Sequence, residues 1–335
     1  MVKLKFPHGK RFAFTICDDT DMARVETVMP VYRLLEDLGL RAAKSVWPLR
    51  GSDQGIFAMS QTLEDLEYRD FVLDLSRRGF EINMHGASME TTQREGVIAA
   101  FDRFHDVFGV HSRVHTNHAH NRENLYWGAG RVDDPLLKRV YSRVTGLPED
   151  HYQGHIEDSP YWWGDLCLSN VTYVRNLTFS AINLARVNPS MPYHDPSRPF
   201  VRGWFSATDA DSVTDFNQLI ASEQQDRLQR EGGVCIVATH LGKKFVENGR
   251  VNPVTRELLA ELASRPGWFP NLSELLDHLS AERRGEMLPR EEWKRMQWSW
   301  GHHLLRRKWG ERRQRMKRQQ ARKTALRRSE EMPVP

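Results

Sequence analysis

Apolar runs that end in polar residues recur along the chain. Phe12-Ala-Phe-Thr-Ile-Cys-Asp-Asp19 is a strand-forming run closed by two carboxylates. Such a run fits a strand buried on both faces, with its C-terminal end at the mouth of a parallel sheet. Gly79-Phe-Glu-Ile-Asn-Met-His85 and Val234-Cys-Ile-Val-Ala-Thr-His240 end in imidazoles in the same way. Between these runs the apolar spacing changes to the helical period. Residues 28–39 carry a helix stopped at Gly39, and residues 62–79 an amphipathic helix stopped at Gly79. The pattern further predicts a strand over 41–47, a helix over 92–108, a short strand near 112–116 and a helix near 134–145. A strand follows at 200–205, one helix over 213–231, a strand over 234–239 and a helix over 253–264, with Trp268 onward closing the unit near 282. Residues 121–200 break this rhythm and read partly as strands and partly as long loops over a barrel mouth. Strands alternating with helices predict βα units and a parallel sheet, open or closed. No internal repeat interrupts this order.

Composition changes the picture in two places. No apolar run approaches the ~20 residues of a membrane span. The N-terminus lacks the apolar core of a secretory signal, and the three cysteines make an odd count. A reducing, cytoplasmic setting is the expectation. The net charge of +4 hides an uneven distribution, because residues 303–328 hold twelve Lys/Arg and a single acid, Glu311. That segment carries +11, which leaves the remainder at −7 of the overall +4. The chain is therefore divided into a body over 1–282 and a basic, helical tail over 283–335. In the tail, Trp293, Met296, Trp300 and Leu304 recur at spacings of three or four. Basic charge beside such a stripe suits an anionic membrane surface, here through 290–328 and at the inner membrane face. A solvated tail with its first turns docked on the body is the competing expectation. Nucleic acid ranks last, since the acidic body has no basic stripe.

Carboxylates and imidazoles at the ends of separate strands are the raw material of a catalytic metal site. Asp18 and Asp19 are adjacent and repel unless a cation or a proton separates them. Asp at a strand end also caps helices, and a single His is often a satisfied core residue. The set is more specific than any member.

The order of Asp18-Asp19, then Gly79-Phe-Glu-Ile with His85, then Ala238-Thr239-His240 resembles the NodB-homology polysaccharide deacetylases over about residues 10–282. The chain looks like a divergent bacterial branch of that family, marked by Asp18-Asp-Thr-Asp21 and by Asn121-Arg-Glu-Asn-Leu-Tyr-Trp-Gly128. The resemblance implies an α/β fold, a distorted, incomplete (β/α) barrel with a divalent metal, expected to be zinc. It implies removal of an N-acetyl group from a carbohydrate, in cell-surface polysaccharide metabolism. By the match, Asp18 is the general base, Asp19 and His85 are metal ligands, and His240 is the general acid. The sequence departs from the family pattern at three points. Thr20 replaces the Gly after the two acids, Met89 stands where the second metal His is usual, and His115-Thr-Asn-His-Ala119 replaces the segment that supplies an Arg to the base. Met89 motivates an alternative, an inactive sugar-binding barrel; a membrane-surface adaptor acting through the tail is another.

A mononuclear catalytic metal takes about three protein ligands. His118 is the expected third, with His120 and Glu90 as alternatives. Arg122 is the candidate for the missing Arg and, with His120, for contacts to sugar hydroxyls. Tyr126, Trp127, Tyr161, Trp162, Trp163, Tyr193 and Trp204 are candidate sugar platforms, with core packing the competing role. Trp204 is the leading choice among them. Asp209 or Asp211 is expected to orient His240.

Overall fold

The computed structural model describes residues 4–52, 57–283 and 288–330. The predicted boundary after residue 282 abuts residues 284–287, and the end of the predicted tail includes 331–335; both segments lie outside the described residues. The elements run β1 (Phe12–Asp18), α1 (Val25–Asp37), β2 (Ala42–Val46), α2 (Leu66–Arg77), β3 (Glu81–Met84), α3 (Arg94–Phe108) and β4 (Val114–His115). They continue with α4 (Pro135–Thr145), α5 (Gly164–Asn170), β5 (Tyr173–Phe179), β6 (Gly203–Asp209), α6 (Val213–Leu219), α7 (Ser222–Glu231) and β7 (Val234–Thr239). The chain closes with β8 (Val246–Glu247), β9 (Arg250–Val251), α8 (Pro253–Ser264), β10 (Gly267–Trp268), α9 (Leu272–Arg283) and α10 (Arg290–Glu330).

Strands β1 to β7 are parallel neighbours in chain order, and β7 pairs back onto β1, so seven strands close a (β/α) barrel. The N-terminal end of β1 is covered differently. There β10 pairs with Phe12 and Ala13, whereas β2 pairs only with Ile16, Cys17 and Asp18. Every residue of β1, β2 and β7 is buried, as expected of parallel strands lined inside and covered outside by helices. Helix α1 presents Val25, Val28, Val31, Tyr32 and Leu35 to the sheet, a three-four spacing that makes one apolar face. Helix α3 ends at Gly109, whose φ of +71° suits a residue without Cβ.

The single helix expected over 213–231 is two. Ala221 is extended between α6 and α7 (ψ 151°), and the Gln225 amide donates to the Ile220 and Leu258 carbonyls at 2.8 and 3.0 Å. A side chain that satisfies the Ile220 carbonyl removes the need for the helix to continue through it, and the bond to Leu258 ties the break to α8. The stretch from 121 to 200 contains α4, α5 and the whole of β5. Helix α10 begins as a packed element. Trp293, Met296 and Trp300 are buried, Trp300 stacks on Tyr141 with ring centroids 6.1 Å apart, and the Gln297 side-chain Oε1 accepts from the Asp134 backbone N–H at 3.0 Å.

Candidate metal centre

The two acids that end β1 face different ways. Asp18 is fully buried between β1, α1 and β2. One of its oxygens lies 2.9 Å from Lys44 Nζ and accepts from the Tyr32 hydroxyl at 3.0 Å. The other accepts from the backbone N–H of Leu241 at 2.8 Å. Lys44 is equally buried, so the pair neutralises itself inside the protein. The geometry therefore gives Asp18, the expected general base, a role in the barrel wall. Asp19 instead receives Arg175 from β5 in a two-pronged pair, at 2.9 and 2.5 Å. Burial pushes the Asp19 carboxyl up, but the Arg175 guanidinium outweighs it and holds it below its usual range.

The acid that faces the imidazoles is Asp21, where the expectation was Asp19. One Asp21 oxygen lies 3.4 Å from His85 Nε2 and 3.8 Å from His118 Nε2. Its other oxygen lies 3.3 Å from His240 Nε2 and 3.5 Å from Lys243 Nζ. Burial raises the Asp21 carboxyl, yet His240 and His85 together hold it far below the ordinary carboxylate range. Asp19 comes no nearer to His85 than 3.8 Å, and to its other ring nitrogen, Nδ1.

The outer hydrogen bonds favour one tautomer for each ring. His85 Nδ1 lies 2.7 Å from the Thr116 hydroxyl and 3.1 Å from the Thr116 carbonyl, and a proton on Nδ1 serves both oxygens and leaves the Nε2 lone pair facing Asp21. His118 Nδ1 donates to Asn121 Oδ1 at 3.0 Å. The Asn121 amide is held in that sense because its nitrogen donates to the Ser88 and Glu90 carbonyls and to Glu123. Burial pushes His118 down to about 4, so this imidazole is neutral near pH 7. Two lone pairs and a carboxylate thus converge in a buried space. The Asp21 oxygen and His118 Nε2 have no hydrogen-bond partner there. Such a donor set fits a cation. Ligands ~2.0–2.1 Å from a tetrahedral ion stand ~3.3 Å apart, close to the 3.4 and 3.8 Å seen between these donors. Nitrogen and carboxylate oxygen together suit zinc and neighbouring first-row ions. Trp47 stacks near His85 and meets His118 edge-on at 5.3 Å, fixing both rings against an apolar wall.

The other expected residues are placed as follows. Met89 is buried, and it packs so close to Gly51 that a Cβ there would sit 2.6 Å from Met89 Cγ. The position of the usual second His is thus a packing position, and His118, from the loop after β4, stands at the third corner. His240 is flanked by Asp211, 3.0 Å from its Nδ1. Burial lowers His240, but Asp21 and Asp211 outweigh it and lift the imidazole to about 10. Asp209 does not reach His240. It is held by His303 and Arg307 of α10, at 3.3 and 3.1 Å. Trp204 is completely buried, bridged to Tyr193 through backbone bonds of 2.7 and 3.0 Å, and offers no face to a sugar. Tyr126, Trp163 and Tyr193 are likewise core residues. Arg122 lies over the Tyr161 ring at 4.7 Å, Glu90 is taken by Ser52, and His120 is exposed, its ring centroid 6.0 Å from that of His118.

Asp21, Arg175 and Lys243 are site residues that the strand-end pattern passes over. Asp21 is the last acid of Asp18-Asp-Thr-Asp, and its alternation with Asp19 was the available signal. Arg175 lies within Tyr173-Val-Arg-Asn-Leu-Thr-Phe179, where a lone cation in a strand-like run is a signal of a buried partner.

No family model matches the chain, and no curated protein matches it. Among solved structures it is similar to a protein described as a polysaccharide deacetylase from Mycobacterium smegmatis, with 13% identity and a TM-score of 0.48 over 87% of this chain and 96% of that one. It is similar to the Puue allantoinase at 12% identity and a TM-score of 0.47, covering 82% and 92% of the two chains. A third likeness, to a protein described as a polysaccharide deacetylase from Pseudomonas aeruginosa, has 12% identity and a TM-score of 0.47 over 84% and 95%.

Proposed function

We propose that the protein is a metal-dependent hydrolase that removes an acyl group from the nitrogen of a carbohydrate. The observation that supports it best is the convergence of Asp21, His85 and His118, with two donor atoms left without hydrogen bonds in a buried space. When bound, a zinc-class ion lowers the pKa of water toward ~7 and polarises a carbonyl. Asp21, His85 and His118 would hold it.

The remaining roles fall to side chains around that trio. Asp19 is the general base in this reading. Arg175 keeps it ionised and fixes its oxygens, and the carboxylate takes a proton from the attacking water. His240 is the general acid. Asp211 orients its Nδ1, so that Nε2 is the nitrogen that delivers a proton to the departing amine. Lys243, 3.5 Å from Asp21, adds positive charge where a tetrahedral oxyanion develops. Asp18 serves this machinery indirectly, because it holds the Leu241 amide and with it the chain beside His240. The carbohydrate follows from the resemblance noted in the sequence.

The test is acetate release from N-acetylated oligosaccharides by the zinc-loaded protein. Asp19→Asn is expected to lower turnover by about 10²–10⁴ while zinc stays bound. Turnover by Asp19→Asn at the parent rate would exclude Asp19 as base, and no release from any N-acyl sugar would remove the substrate assignment.

A further inference from the structure

Helix α10 has two apolar stripes, and only one of them is used by the barrel. Trp293, Met296 and Trp300 pack inward. Trp298, Leu305, Trp309 and Met316 are 50, 46, 67 and 55% exposed. At about 100° per residue these four lie within about 40° of one another and roughly opposite the packed stripe, over a length of about 27 Å. Four large apolar side chains in a row on solvent are unusual for a helix already anchored along its other face.

Charge surrounds this outer stripe. Arg306 and Arg313 are exposed beside it, and Arg313 lies over the Trp309 ring at 5.1 Å. The sequence of the segment 303–328 holds twelve Lys/Arg against Glu311 alone. The helix also has a fixed place on the body. His303 and Arg307 reach Asp209 at the C-terminal end of β6, the barrel end that carries the candidate metal centre. Among the described residues no helix is long and apolar enough to cross a membrane.

We infer that the outer face of α10 docks on the surface of an anionic lipid bilayer. Trp298, Leu305, Trp309 and Met316 enter the interface, and the flanking arginines meet lipid phosphates. A stripe of this kind with basic flanks is the pattern of a helix lying in the interfacial plane. A nucleic acid would satisfy the charge, but phosphate contacts leave a continuous aliphatic and aromatic stripe without a partner.

The experiment is co-sedimentation of the full chain with vesicles of phosphatidylcholine alone and of phosphatidylcholine with phosphatidylglycerol. Binding is expected to the anionic vesicles only, and to weaken as salt is raised. Leu305→Glu with Trp309→Glu is expected to weaken it by about tenfold or more without lowering thermal stability, because both residues are exposed. Arg306→Glu with Arg313→Glu is expected to act in the same direction. Absence of sedimentation would overturn the inference. So would binding that survives the Leu305 and Trp309 changes, or a short RNA that binds as tightly and displaces the vesicles.

Discussion

Replacing Asp18 with Asn separates a wall residue from a catalytic base. Asp18 and Lys44 are each 0% exposed and 2.9 Å apart, so solvent does not screen the pair. The amide oxygen of the Asp18→Asn variant can still accept a hydrogen bond in the same place, so what the substitution removes is mainly the charge that compensates Lys44. Leaving one partner of a buried pair uncompensated costs about 3–5 kcal/mol. Replacing both with neutral groups of similar size is far less costly, because the desolvation of two ions disappears together. The expected series in urea unfolding is therefore a large loss for Asp18→Asn, a large loss for Lys44→Met, and a double variant more stable than either single one. A coupling of at least about 2 kcal/mol in that cycle is the expected magnitude. Zinc binding and some turnover should persist in the double variant. A stable Asp18→Asn protein that binds metal but has lost all activity would refute the reasoning and restore Asp18 as the base.

Other outcomes follow from the same geometry. Asp19→Asn should keep the metal and lower kcat by about 10²–10⁴. Arg175→Met removes the charge that holds Asp19 down while its burial remains. The acid limb of kcat against pH should then move to higher pH, since Asp19 must be ionised to act; an unmoved limb would detach Arg175 from the base. Burial lifts the Glu123 carboxyl to about 7. A raised folded-state pKa contributes stability below the unfolded value of about 4.5 that is lost as pH rises through about 7, by roughly 3 kcal/mol for a shift of this size. Stability measured between pH 5 and 8 should therefore fall less steeply in Glu123→Gln than in the parent, and parallel slopes would contradict this. Trp204→Phe should lower stability and leave KM unchanged, because Trp204 is sealed in the core; a raised KM at parent stability would return it to the binding cleft.

The barrel was legible in the chain because parallel strands and amphipathic helices impose different periods. Strands β1, β3 and β7 end where the apolar runs end, and Asp19, His85 and His240 sit just beyond them. Strand β5 was harder to see within 121–200, because its neighbours are loops whose order comes from side chains. Asn117, for example, exchanges two hydrogen bonds with the backbone of Leu125, and the Trp163 indole donates to the Glu123 carbonyl at 2.6 Å. Those contacts have no linear period. The roles of the three acids in Asp18-Asp-Thr-Asp21 were also hidden, because they depend on partners far along the chain. Lys44 takes Asp18, Arg175 takes Asp19, and His85 with His118 leaves Asp21 at the centre. Aromatic residues misled for a related reason. A Trp at a strand end reads as a platform, but the strand from Gly203 to Asp209 extends four residues past the predicted end and carries Trp204 inside.

Metal content of the purified protein and two variants tests the central claim most directly. The account predicts one zinc-class ion per chain in the parent and in Asp19→Asn, and its loss in Asp21→Asn. Retention of the ion by Asp21→Asn together with its loss from Asp19→Asn would contradict the assignment of the centre.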